Sequence, residues 1–281
     1  MIRTGRTAST DGIEIAFSEW GNPSGPEVLL VHGWIFSRLA FSRQMYGELA
    51  ERCRVVAYDL RGHGESAIPT DPGAYSNGRL WADDLHSVLD AVGLRRPILA
   101  GWSLGGRVVA HYVFVYGLGR VAGVNLVSSR ILQDPTAVRG PNSVGSGIAS
   151  DSLAERVSET ARFVRNCSAQ PLAADDFEHL FGAAMAVPTV ARLGASAWHR
   201  EYGDFFDHLE LPVLVTHGAR DSMVLPAAAT RIAEKMRGSL SIYENCGHMP
   251  FWEDAARFNR ELADLGARHW QPAGPAGERG A

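Results

Sequence analysis

The sequence predicts an α/β fold: a mostly parallel sheet with helices on both faces. Three observations predict it. Short apolar runs recur along the 281 residues, each bounded by glycine, proline or polar residues. Segments of helical character separate these runs. A serine-centred turn, GWSLGG (101–106), sits where one run ends and a helical segment begins. Runs rich in Val, Leu and Ile with little alternation suit central strands covered on both faces. Strand–helix alternation builds parallel sheets.

In chain order, GIEIAFSEWG (12–21) alternates apolar and polar residues and predicts an outer, half-exposed strand. EVLLVHG (27–33) predicts a buried strand, with a helical segment over 36–52 after it. RVVAYDLRG (54–62) predicts the next strand, and a helical segment over 80–92 follows. RPILAGWS (96–103) ends on the serine, and a helix over 104–116 opens directly after it. VAGVNLVSS (121–129), LPVLVTHG (211–218) and SLSIYENCG (239–247) complete the buried runs. Helices are predicted over 226–236, opening on Pro226, and over 251–265; proline is favoured at a first helical position.

Residues 130–210 break the rhythm. They contain no convincing buried strand and read as helical pieces around 152–167, 173–186 and 190–198. An insertion between two strands of a parallel sheet is expected to lie over the strands' carboxyl ends, where ligands bind. The expected division is a core from 1–129 and 211–269, a helical cap (lid) over 130–210, and a disordered tail at 270–281, which contains QPAGPAGERGA. No internal repeat is found.

Composition narrows the function classes. The chain is 46% hydrophobic and 21% charged, ordinary for a globular protein. A net charge of -4 supplies no basic footprint for nucleic acid and no polybasic membrane patch. The most apolar long stretch, 108–127, contains His111, three glycines and Arg120, and reads as a helix followed by a strand rather than a membrane span. Cys53, Cys167 and Cys246 are odd in number, far apart and without a CxxC pair, so neither a disulfide framework nor a zinc site is expected. No apolar segment backs the N-terminal arginines, so no signal peptide is expected and a cytoplasmic location is.

The serine carries the chemistry. A sharp strand-to-helix turn brings the backbone before and after it together, so Gly101 and Gly105 must be small. A hydroxyl is a weak nucleophile and needs a base. His248, in NCGHMPFWED, lies between a predicted strand and a predicted helix, again at the strands' carboxyl ends. Asp221, in HGARDSMVLP, follows another strand and can orient the imidazole. Asp134, after the strand that precedes the insertion, is the alternative acid. The order Ser103, Asp221, His248 is that of a strand-borne serine triad. The oxyanion of a tetrahedral intermediate would be held by the backbone N–H groups of Leu104 and Trp34. Ile35, Phe36, Trp102, Val224, Leu225 and Met249 adjoin these positions and are candidates for an apolar substrate pocket. Met223 and Phe251 adjoin them too, and packing in the core is the competing role for all of them.

The chain resembles the α/β-hydrolase fold superfamily. The resemblance rests on VHGW (31–34), DLRGHGES (59–66), GWSLGG, HGARD and GHMPFWE, and covers nearly everything outside 130–210. It implies an eight-stranded sheet, a cap domain and Ser103, Asp221 and His248 as the triad. HGxxD fits the family pattern and favours Asp221 over Asp134. His32 and His63 would organise loops, and Asp59 would be a structural hydrogen-bonder near the oxyanion loop. His217 is read as structural, and His179, His199 and His208 as surface residues of the cap. GWSLGG with VHGW looks like the esterase, lactonase and cofactor-free haloperoxidase-like (perhydrolase) branch. Epoxide hydrolases and haloalkane dehalogenases carry aspartate at the nucleophile position and dienelactone hydrolases carry cysteine, so Ser103 sets those chemistries aside.

The expected function is hydrolysis of a small, fairly apolar carboxylic ester or lactone through an acyl-enzyme. Two alternatives keep the triad: C–C bond hydrolysis and cofactor-free haloperoxidase or perhydrolase chemistry. A third is a small-molecule receptor on the same fold. The expected partner is a small-molecule substrate, not nucleic acid or membrane, and no metal or organic cofactor is required.

Overall fold

The computed structural model describes residues 2–132, 140–142, 146–198 and 202–271. Strands β1 (Arg3–Ala8), β2 (Glu14–Gly21), β3 (Glu27–Val31), β4 (Arg54–Tyr58), β5 (Ile98–Trp102), β6 (Gly123–Val127), β7 (Val213–Gly218) and β8 (Ser239–Tyr243) form one sheet. Its order is β1-β2-β4-β3-β5-β6-β7-β8. Pairings β1–β2 and β2–β4 are antiparallel and the remaining ones parallel. Every residue of β3, β5, β6 and β7 is buried, as non-alternating apolar runs require.

The helices are α1 (Glu48–Arg52), α2 (Gly73–Ser76), α3 (Gly78–Val92), α4 (Leu104–Tyr116), α5 (Leu153–Asn166), α6 (Ala174–Met185), α7 (Thr189–Ala197), α8 (Ala227–Lys235), α9 (Pro250–Glu253) and α10 (Ala255–His269). Helix α3 packs on α4, and α1 on α10. Helix α3 starts where the Asn77 side chain accepts the Arg79 N–H and stops at Gly93, whose left-handed φ of 69° ends the helix.

Five details depart from the sequence reading. The strand expected to be outer and half-exposed over 12–21 is β2, which pairs with β1 on one side and β4 on the other and is mostly buried. Strand β1 reads RTGRTA and has no apolar run to betray it. It exists because β2 offers it an unpaired edge, in register from Arg3 opposite Glu19 to Ala8 opposite Glu14. Strand β8 is only partly buried: it closes the far edge of the sheet, and Leu240 is exposed while Tyr243 at its end is buried. The segment over 36–52 is two pieces, a 3-10 stretch Arg38–Gln44 and then α1, separated at Gly47 with φ 79°. The helix expected over 251–265 is α9 plus α10, broken at Asp254, whose carboxylate caps α10 by accepting the Arg257 N–H.

Two buried arginine–aspartate pairs hold the loop that leaves β4. Arg61 donates through Nε and Nη2 to both oxygens of Asp84, each at 2.7 Å, and both side chains are fully buried. Arg38 pairs with Asp59, whose carboxylate also accepts the N–H of Arg38 and of Glu65.

Between β6 and β7 the described residues hold 3-10 turns at Ser146–Ala149 and Phe205–His208 and helices α5, α6 and α7, with no strand among them. Arg192 of α7 is fully buried at their centre. It donates to the carbonyls of Val187, Ile148 and Ala184 and to the hydroxyl of Thr160, at 2.6–2.9 Å. No single helix among the described residues is long and apolar enough to cross a membrane. The tail from 272 onward lies outside the described residues.

Candidate active site

Ser103 stands between the end of β5 and the start of α4, with φ 54° and ψ -111°. A non-glycine residue at positive φ is strained, and such strain concentrates at functional positions. The turn leaves no room beside it. A side chain on Gly101 would overlap the carbonyl of Gly105, and one on Gly105 would overlap the carbonyl of Val31. The serine N–H donates to the carbonyl of Val127 at 2.8 Å, tying the turn to β6.

His248 and Asp221 come to the same rim from the loops after β8 and β7. The imidazole Nε2 lies 3.0 Å from Ser103 Oγ, and Nδ1 lies 2.7 Å from Asp221 Oδ2. A carboxylate only accepts, so Nδ1 carries the proton. Nε2 is then free to take one from the hydroxyl. Asp221 is itself held by four donors. Oδ1 accepts the N–H of Met223 at 2.8 Å and of Val224 at 3.0 Å. Oδ2 faces a second imidazole, His217 Nε2, at 3.2 Å, and that nitrogen also faces the Val224 carbonyl at 2.9 Å. Burial pushes the Asp221 carboxyl up, but His248 and His217 outweigh it and hold the group below the usual carboxylate range. His217, read from sequence as structural, is thus a second donor to the acid that faces His248.

Leu104 is the first residue of α4, so its N–H has no intrahelical acceptor and lies at the positive end of the helix dipole. Trp34 lies in the loop after β3, half-buried, and its indole Nε1 donates to the carbonyl of Arg192 at 3.1 Å. Two histidines build that loop. His32 Nε2 accepts the Leu60 N–H at 2.9 Å and its Nδ1 donates to the Gly33 carbonyl at 2.8 Å. His63 Nε2 accepts the Ile35 N–H at 3.3 Å and its Nδ1 donates to the Arg61 carbonyl at 2.8 Å. Both are therefore neutral, and burial above all lowers each to about 3.

These two groups tie stability to pH. The unfolded chain binds protons on them near the ordinary imidazole value of 6.5, the folded chain only near 3. Between those values the unfolded state holds more protons, so stability falls as the pH falls. Each imidazole contributes a slope of about 1.4 kcal/mol per pH unit in that window. Urea unfolding at stepped pH is expected to show the fall, and His63→Gln a shallower one. An identical slope in the variant would remove His63 from this account.

Of the candidate pocket residues, Ile35, Phe36, Trp102 and Met249 are sealed from solvent, at 1% exposure or less, whereas Val224 and Leu225 are half-buried. The Trp102 ring packs 4.8 Å from Phe36 and 4.9 Å from Phe251, and its Nε1 donates to the His248 carbonyl at 2.8 Å. Phe163 of α5 reaches this cluster, 5.5 Å from the Trp34 ring and 6.0 Å from that of Phe36. Asp134 and His199 lie outside the described residues. His179 meets the Leu39 carbonyl at 3.0 Å, and His208 is exposed, so neither joins the site. Among the described residues, no group of three or more His, Cys, Asp or Glu is placed to hold a metal ion.

Comparison with known proteins finds relatives along most of the chain. The family described as Alpha/beta hydrolase family matches residues 28–261. Non-heme chloroperoxidase CPO-A1 of Kitasatospora aureofaciens is 28% identical over 272 residues, which cover 91% of this chain and 96% of that protein. Bifunctional esterase/perhydrolase DCH of Acinetobacter calcoaceticus is 27% identical over 278 residues, covering 92% and 98%. The crystal structure of esterase RhEst1 from Rhodococcus sp. ECU1013 superposes with a TM-score of 0.87 at 30% identity, covering 95% of this chain and 99% of that one.

Proposed function

Because this chain belongs to the alpha/beta hydrolase family and is a hydrolase, we propose that it cleaves a small, fairly apolar carboxylic ester or lactone through an acyl-enzyme on Ser103. The observation that carries this reading is the unbroken chain of contacts from Ser103 Oγ through the His248 imidazole to Asp221 Oδ2.

In the first half-reaction His248 Nε2 takes the Ser103 proton as Oγ attacks the substrate carbonyl carbon. Asp221 stabilises the imidazolium that forms. The N–H groups of Leu104 and Trp34 hold the developing oxyanion; a donor of this kind is worth about 3–4 kcal/mol in the transition state. His248 returns its proton to the departing alkoxide, which leaves as the alcohol. In the second half-reaction a water is deprotonated by His248, attacks the acyl carbon, and releases the carboxylic acid as Ser103 Oγ regains its proton. Half-buried Val224 and Leu225, which follow Asp221 in the chain, and half-buried Trp34 in the loop after β3 supply apolar surface for the acyl or alcohol portion.

A second reading keeps the acyl-enzyme and changes the acceptor. Hydrogen peroxide in place of water would give a peracid, with His248 again taking the proton. Relatives named as a chloroperoxidase and as an esterase/perhydrolase support it. The receptor alternative loses ground to the enzymatic relatives for the same reason.

The test combines labelling with a substrate panel. A fluorophosphonate is expected to modify Ser103, located by mass mapping, and short p-nitrophenyl esters to turn over fastest. Lactones, vinylogous diketones and ester-plus-peroxide mixtures separate the neighbouring chemistries. Modification of a different residue, or none, would defeat the proposal.

A further inference from the structure

The loop that carries His248 is seated on the insertion as well as on the sheet. The His248 N–H donates to the carbonyl of Cys167, the residue that caps the end of α5, at 2.9 Å. The preceding residue, Gly247, donates its N–H to Glu253 Oε1 at 2.7 Å. The other oxygen of that carboxylate, Oε2, accepts the N–H of Ala169 at 2.7 Å, just past α5. The Ser168 side chain hydrogen-bonds to the same group. One carboxylate therefore bridges two chain segments that are 78 residues or more apart in sequence, using short, charge-assisted bonds. The segments touch closely: a side chain on Gly247 would come within 2.7 Å of the Ala169 nitrogen and 3.2 Å of the Cys167 oxygen. Trp102 fixes the other side of the loop through its bond to the His248 carbonyl.

We propose that Glu253 is a positioning residue. Its carboxylate staples the loop of the general base to the turn leaving α5, so the imidazole meets the serine hydroxyl only while the insertion is seated. The inference rests on the reading of His248 as the base. Glu253 acts through backbone N–H groups and touches no reacting atom. Displacing a catalytic group by about 1 Å can cost about 100-fold in rate, and Glu253 sets the place from which the His248 side chain projects.

The test is Glu253→Gln in the full chain. Glutamine keeps the length but turns one acceptor into a donor, which then opposes an N–H. For p-nitrophenyl butyrate, kcat is expected to fall about 10- to 100-fold with KM changed less than about twofold. Fluorophosphonate labelling of Ser103 should slow in parallel. A purely structural role would lower Tm yet leave kcat and the labelling rate intact well below Tm, and that result overturns the proposal. So does a rise in KM with kcat unchanged. If the variant does not fold, Gly247→Ala decides: it wedges the same two segments apart with the carboxylate intact. A kcat loss at constant KM then supports the staple, and an unchanged kcat overturns it. Absence of Ser103 labelling in the unmodified protein would instead defeat the underlying triad reading, so the two failures are distinguishable.

Discussion

Ser103→Ala is expected to lower kcat for a short p-nitrophenyl ester by about 10⁴- to 10⁶-fold, the range for removing a nucleophile from a working triad. The expectation follows from geometry. Oγ is the hydroxyl at 3.0 Å from the His248 Nε2 that would deprotonate it, and no other serine reaches that nitrogen among the described hydrogen bonds. The alanine variant should fold, because the serine side chain caps nothing: it makes no bond to the first turn of α4. Removing Oγ leaves the Val127 bond, which uses the backbone N–H, in place. Steady-state kinetics beside a thermal melt check both parts. Turnover within tenfold of the unmodified protein at unchanged Tm would mean that the chemistry runs elsewhere.

Asp221→Asn is expected to cost about 10³- to 10⁴-fold in kcat at neutral pH. Oδ1 accepts two backbone N–H groups, from Met223 and Val224, so the amide would settle with its oxygen there. Its NH₂ would then face His248 Nδ1 and His217 Nε2, both of which now donate to Oδ2. Donor would meet donor, and His248 would escape by carrying its proton on Nε2 instead. In that tautomer it cannot accept the serine proton. Asp134→Asn is the companion variant, since the sequence alone leaves that residue open as the acid; it is expected to retain near-normal kcat. The reverse outcome, with Asp134→Asn inactive and Asp221→Asn active, would transfer the role.

Much of this was legible in the sequence, for reasons that differ by element. The run ending in GWSLGG located the boundary between β5 and α4 at Ser103 because strand periodicity, glycine spacing and helix periodicity all change at one residue. Asp221 and His248 could be paired with it because each follows a parallel strand, buried β7 and the edge strand β8, and parallel strands deliver all three to one edge. Strand β1 was illegible because its stability comes from a neighbour's free edge and not from its own side chains. The breaks at Gly47 and Asp254 fall inside stretches whose apolar spacing reads as continuous helix. The second donor on Asp221 and the carboxylate bridge of Glu253 were illegible for a deeper reason. Both are contacts to particular atoms, set by where loops meet in space, and HGARD and GHMPFWE carry the residue types without the geometry.

Arg192 gives the insertion an unusual constraint. Its guanidinium is wholly enclosed, hydrogen-bonds among the described residues to three carbonyl oxygens and one hydroxyl, and is drawn down to about 10, chiefly by burial. Lysine could not replace it, because three donors on one nitrogen cannot span four acceptors arranged around a planar fork. Side chains on the outward surfaces of α5, α6 and α7 can therefore change while the keystone that ties Thr160 of α5 and Ala184 of α6 to α7 stays the same.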